Sequence, residues 1–190
     1  MSDPATSPSA RQQELLELAY AYALEQGLVD LSLRPLAAAI GSSPRVLLYL
    51  FGSKDGLVRA LLARARVDEL ALLDDLDSGD APERLGLLAA AERLWAWLSA
   101  EDHRALLRLW AEGYVRSLVE PDGPWAGFAE ATVRDWLAVL DGRRDEAGDG
   151  GAERRTYVLA VLRGGLLDLL ATGDTARVTD AVLRALEFRL

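Results

Sequence analysis

Arg34, Arg45 and Lys54 are spaced through a stretch otherwise built of leucine, alanine and serine. Guanidinium and ammonium groups are phosphate ligands, and an arginine can also donate two parallel hydrogen bonds to guanine O6 and N7. The hydroxyls of Ser32, Ser43 and Tyr49 add the neutral donors that commonly hold phosphate oxygens. Across residues 31–66 the charges are Arg34, Arg45, Lys54, Arg59, Arg64 and Arg66 against Asp55 alone, a balance of +5. The whole chain carries −9, so the residues outside that window sum to −14. A basic island on an acidic protein is the electrostatic footprint of a phosphate-binding surface. Lys54 is the single lysine in the chain and falls inside the island.

The elements that would position these groups can be read from their start and stop signals. Ser32 suits the cap of a short helix, with Pro35 in the first turn, where its missing N–H costs nothing. Leu36, Ala37 and Ile40 then form one narrow apolar face. Gly41 supplies a left-handed stop and a sharp turn. Ser43 caps a second short helix with Pro44 at its first position, and Val46, Leu47 and Leu50 are expected to face inward, leaving Arg45, Leu48 and Tyr49 outward. Gly52 and Ser53 end that helix and begin a long one, with Asp55 at the positive end of its dipole. Two short helices meeting at a glycine are the arrangement that lays a helix into the DNA major groove.

These residues resemble the N-terminal signature of TetR-type transcriptional regulators. The matching stretches are Ser32-Leu33-Arg34-Pro35-Leu36-Ala37, Gly41-Ser42-Ser43 and Leu47-Leu48-Tyr49-Leu50-Phe51-Gly52-Ser53-Lys54, with Leu15 to Gly27 similar to the first helix of the family. Two positions depart from it. The tyrosine of the family falls where this chain has Leu48, so Tyr49 is rotated by about 100° around the helix. Pro35 replaces a common acidic residue, removing a capping-box partner for Ser32. The resemblance implies an all-α protein, with a helix-turn-helix DNA-binding domain over residues 11–52 and a helical ligand-binding and dimerisation domain over 53–190. It also implies a repressor that leaves a palindromic double-stranded operator when a small-molecule effector binds. On that reading Arg45, Leu48 and Tyr49 lie at the DNA interface, Ser32, Ser43, Tyr49 and Lys54 hold phosphates, and Arg34 supports them. The alternative is a helical, dimeric small-molecule or protein-interaction module that does not bind DNA.

Bulk properties narrow the chemistry. The 190 residues include no cysteine and one histidine, His103, which excludes a disulfide framework, a thiol nucleophile and an ordinary zinc site. There is no Gly-x-Ser-x-Gly elbow and no phosphate-cradling glycine loop, so no enzyme is expected, and no cofactor. The polar, proline-bearing residues 1–10 read as a disordered arm rather than a secretory signal. The apolar run from Tyr157 to Ala171 is interrupted by Arg163 and Asp168 and is shorter than the ~20 residues of a spanning helix. A cytoplasmic protein is the expectation.

Strand signals are nearly absent, and helices are expected at 11–27, 33–40, 44–50, 54–76, 83–99, 101–119, 125–141, 152–172 and 174–189. His103, among Glu101, Asp102 and Arg104, reads as part of a solvated helix start. Aromatic residues concentrate in the middle of the chain, and Trp95, Trp110, Tyr114, Trp125 and Phe128 are the candidates to line an apolar effector pocket. The helix from 152 to 172 is apolar nearly all round and carries Gly164-Gly165, a pattern that suits close approach of a second copy. The resemblance implies a homodimer through two late helices, here 125–141 and 152–172, with Trp136, Leu140, Leu162, Gly165, Leu166 and Leu169 at the interface.

Overall fold

A computed structural model describes residues 9–28, 30–77, 86–141 and 151–189. Among them are nine α-helices and one 3-10 turn, and no strand. The arm expected over 1–10 lies outside the described residues except for Ser9 and Ala10. Ser9 caps α1 (Ala10–Gln26) by accepting from the Gln12 N–H at 3.2 Å. Gly27 ends that helix at φ +79°, its N–H reaching back to the Ala23 carbonyl.

The next three helices are α2 (Leu33–Ala39), α3 (Pro44–Phe51) and α4 (Lys54–Asp77). Leu15, Ala19 and Ala23 project from one face of α1 at i, i+4 and i+8, and meet Leu36 and Ala37 of α2 and Leu47 of α3. Leu57, Val58, Leu61, Leu62 and Ala65 complete the same core, so the first half of α4 is structurally part of the N-terminal bundle. Polar contacts fix the angles. Arg64 on α4 donates to Glu17 of α1 at 2.9 Å and pairs with Asp68, which also accepts from the Tyr20 hydroxyl at 2.8 Å. Burial, reinforced by Asp68, raises the Tyr20 pKa, so the phenol stays protonated and keeps donating.

The remaining helices are α5 (Leu87–Ser99), α6 (Arg104–Val119), α7 (Phe128–Asp141), α8 (Gly151–Thr172) and α9 (Thr175–Arg189). Residues 83–85 of the expected fifth helix lie outside the described residues. The helix expected from 125 begins at Phe128 instead. Residues 121–127 form turns that end at Gly127 with φ +74°, a conformation that interrupts helical propagation. His103 closes the 3-10 turn Glu101–His103; it is not a solvated helix start, because its ring stacks on Trp97 at 4.1 Å and its Nδ1 lies 2.9 Å from the Trp97 carbonyl.

The C-terminal core joins α5, α7, α8 and α9 around Trp95, Trp136, Leu162, Leu166, Val182 and Leu186. α8 is covered on several sides by its own chain, which explains its lack of a polar face. Trp95 donates its indole N–H to Thr179 at 3.1 Å. Gly165 lets α8 approach this pair: a Cβ there would lie 2.5 Å from Val182 and 3.1 Å from the Trp95 ring. Gly164 has no neighbouring atom within 4 Å of the same position. Among the described residues no helix is long and apolar enough to cross a membrane.

The two glycines should therefore respond oppositely to alanine. Gly165→Ala is expected to lose about 1–2 kcal/mol, overpacking outweighing the propensity gain, whereas Gly164→Ala keeps or gains up to about 1 kcal/mol. Thermal unfolding of both variants checks this.

Candidate nucleic-acid interface and effector cavity

α3 is an eight-residue helix held at both ends. Ser43 accepts from the Val46 N–H at 3.3 Å, Pro44 occupies the first turn, and Gly52 turns the chain at φ +76°. Gln12 of α1 donates to the Leu50 carbonyl at 2.9 Å, tying the far end of α3 to the bundle. Only Leu47 is fully buried; Leu50 and Phe51 pack partly. Arg45 is exposed, Leu48 is 40% exposed and Tyr49 is 86% exposed. Val46, expected inward, is 38% exposed and belongs to the outer face. A helix this short touches the core along a single line through Leu47, and Val46 lies about 100° away from it.

Ser32 sits at the cap position of α2, yet its side chain makes no capping hydrogen bond. Its exposed hydroxyl is therefore not committed to the helix end, unlike that of Ser43. Ser53 caps α4 by accepting from the Gly56 N–H at 2.9 Å, and Lys54 stands exposed in that first turn. The helix N-terminus and the ammonium together favour an anion.

The basic island divides in the fold. Arg64 is engaged by Glu17 and Asp68, and Arg66 by Glu69 at 2.6 Å and by Asp135. Arg34, Arg45, Lys54 and Arg59 are exposed and take part in no ion pair among the described residues. The cations left for a partner are these four.

A second feature lies behind the bundle. Leu62, Glu69, Trp97, Trp110, Phe128 and Trp136 are among the residues around a cavity of about 10 Å³ between α4, α5, α6 and α7. Of the pocket candidates, Trp110 and Phe128 line it, and the Tyr114 ring lies tilted by 35° against Trp110 with centres 5.1 Å apart. Trp95 and Trp125 do not join them. Trp95 lies in the α5–α8–α9 core, and Trp125 is buried in the N-terminal core beside α4. Trp136, expected at a dimer interface, is a cavity wall. Leu140, Leu162, Leu166 and Leu169 are likewise buried within the chain, and Gly165 abuts Trp95. The residues that α8 leaves exposed are Ala152, Glu153, Arg154 and Thr156 in its first part and Ala160, Gly164, Leu167, Ala171 and Thr172 beyond it.

The sequence reading missed two charged groups, Glu69 on the cavity wall and Arg163 behind the Trp110 and Trp136 rings that form part of it. Glu69 is buried, accepts from the Trp136 indole N–H and pairs with Arg66. Arg163 of α8 places its guanidinium 5.7 Å from the Trp110 ring centre, 5.0 Å from Tyr114 and 5.9 Å from Trp136. Burial lowers its pKa. The only sequence signal for Arg163 was its interruption of an apolar run.

No family model matches the sequence, and no curated protein does. Solved structures do match. A TetR transcription regulator from Haloarcula marismortui ATCC 43049 is 17% identical, with 95% of this chain and 97% of that one covered at a TM-score of 0.73. A transcriptional regulator from Rhodococcus sp. Rha1 is 23% identical, with 97% and 96% covered at 0.70. The chain has the TetR-type fold. The multidrug binding protein EbrR, solved with imidazole, is also similar, at 24% identity and a TM-score of 0.63 over 96% of this chain and 90% of its own. In this TetR-type frame, α2 and α3 form the helix-turn-helix and the α5–α9 bundle carries most of the aromatic cavity.

The two serines of that helix-turn-helix predict different stability effects. Ser43→Ala should cost about 0.5–2 kcal/mol through loss of its cap, while Ser32→Ala leaves folding stability within about 0.5 kcal/mol. Chemical denaturation of each variant distinguishes them.

Proposed function

We propose that this protein is a DNA-binding transcriptional regulator that acts as a homodimer and, as a repressor, leaves its operator when a small molecule occupies the aromatic cavity. The observation that carries the reading is the outer face of α3. Arg45, Val46, Leu48 and Tyr49 project from a doubly anchored helix, and Arg34, Lys54 and Arg59 flank them; like Arg45, these three form no ion pair among the described residues. Tyr49 is the least expected of these, since an aromatic ring so exposed gains nothing from the protein's own core.

In this reading Lys54, Ser32 and the N-terminus of α4 hold phosphates and set the register, with Arg34 and Arg59 adding attraction. Ser43 is engaged chiefly as the helix cap. Arg45 reaches a guanine edge, and Leu48 or Tyr49 meets a thymine methyl or the sugar-phosphate backbone. A second copy lies against the outer face of α8, with α9 in place of the expected 125–141 helix, where Ala160, Gly164, Leu167, Ala171 and Ala181 are exposed; the exposed residues of α7 are Glu130, Arg134, Ala138 and Asp141. Small side chains there permit close backbone approach, and Leu167, 51% exposed, gives the contact apolar area. Two-fold symmetry then presents both copies of α3 to a palindromic site. The cavity is walled by α4 and α6, and both helices also pack against the N-terminal bundle, so a ligand that spreads them changes the spacing of the two reading heads.

Mobility shift on duplexes carrying the region upstream of its own gene tests the DNA assignment. Arg45→Ala should cost about 1–3 kcal/mol and relax specificity, whereas Lys54→Glu should weaken all sequences alike and flatten the salt dependence. Undiminished binding by both variants would remove the assignment. Leu167→Glu should convert a dimeric solution mass to a monomeric one; a native protein that is monomeric at every concentration would exclude the symmetric pair.

A further inference from the structure

The cavity resting against α4 and α6 contains an imbalance of hydrogen-bonding groups. Two indole N–H groups on its wall, those of Trp97 and Trp110, are buried without an acceptor, and so is the Nε of Arg163. Trp110 is only 6% exposed. These groups can only donate. Glu69 is the one carboxylate on the wall, and each of its oxygens already accepts a hydrogen bond, Oε1 from Trp136 and Oε2 from Arg66. Two donors of the lining residues therefore lack a partner while the carboxylate is engaged.

The charges are similarly uneven. Arg66 has two carboxylate partners, whereas Arg163 forms no ion pair among the described residues and feels the Glu69 carboxylate only at a distance. Its guanidinium contacts are the Tyr114 hydroxyl at 3.3 Å, a long contact to Thr132 at 3.5 Å and the faces of three aromatic rings. Ring faces attract a cation weakly compared with an anion that also accepts hydrogen bonds. Burial disfavours the charged guanidinium there, and an arriving anion would reverse that effect.

We propose that the cavity takes a planar aromatic anion, whose carboxylate accepts from Arg163 and from the Trp110 indole while its ring lies among Trp97, Phe128 and Trp136. The proposal deepens the effector reading and rests on it for its regulatory consequence. At about 10 Å³ the cavity has room for little more than one water, so the ligand enters by displacing a wall residue. Phe128 is placed to yield, because it begins α7 directly after the turn at Gly127.

The probes are 2-naphthoate, 2-naphthamide and 2-naphthamidine, which share one ring and differ in headgroup charge. Calorimetric titration of the full chain should give naphthoate at least about tenfold tighter binding than the other two. Arg163→Gln should bring naphthoate down to the level of the amide while leaving the amide unchanged, and Trp110→Phe should weaken both acceptors several-fold. If Arg163→Gln does not fold, the headgroup ranking on the native protein decides alone. Tightest binding of the amidine, equal binding of all three, or no binding of any overturns the proposal. Naphthoate preference without release of bound DNA upholds the anion class and removes the effector role instead.

Discussion

One continuous helix does two jobs that cannot be separated mechanically. Along α4, Leu57, Val58 and Leu61 are locked into the core of the N-terminal bundle, and Glu69 is locked to Trp136 and Arg66 at the cavity wall. Leu62 and Ala65 belong to both environments. Close-packed interiors do not absorb displacement gradually. In the proposed mechanism, a shift of the wall would therefore reach α2 and α3 through α4.

A second connection constrains the same motion. Glu112 of α6 accepts from the Leu28 N–H at 2.7 Å, just past the end of α1, and its carboxylate occupies the space a Cβ at Gly27 would need. Trp110 lies two residues earlier on α6 and lines the cavity. Leu109 from the same helix is buried in the N-terminal core. Two walls of the cavity thus hold the N-terminal bundle at separate points, α4 through apolar packing and the Arg64–Glu17 pair, α6 through Leu109 and the Glu112 hydrogen bond to backbone.

Local signals made the helix-turn-helix legible in the sequence. Gly41 at φ +63° and Gly52 at φ +76° are the turns their composition indicates, and Ser43 and Ser53 cap as their positions suggest. What failed depended on partners distant in the chain. Val46 reads as apolar and inward, yet α3 meets the core along too narrow a line to bury it. Trp95 and Trp125 fall in one aromatic-rich stretch but belong to different cores. Leu162, Leu166 and Leu169 of α8, expected against a second copy, are buried instead by helices of the same chain. Trp125 and Ala126 read as helical because nothing in their own types announces the turn that Gly127 imposes. Arg163 was visible only as an interruption; its aromatic surroundings come from two other helices, α6 and α7.

The central claim is that the outer face of α3 reads a duplex as half of a symmetric pair. Selecting bound sequences from a random duplex pool and footprinting the winners tests it most directly. The account predicts enriched inverted half-sites with protected major grooves about one helical turn, or a whole multiple of it, apart. A pool that shows no enrichment at low salt, or protection of a single unrepeated site, would contradict it.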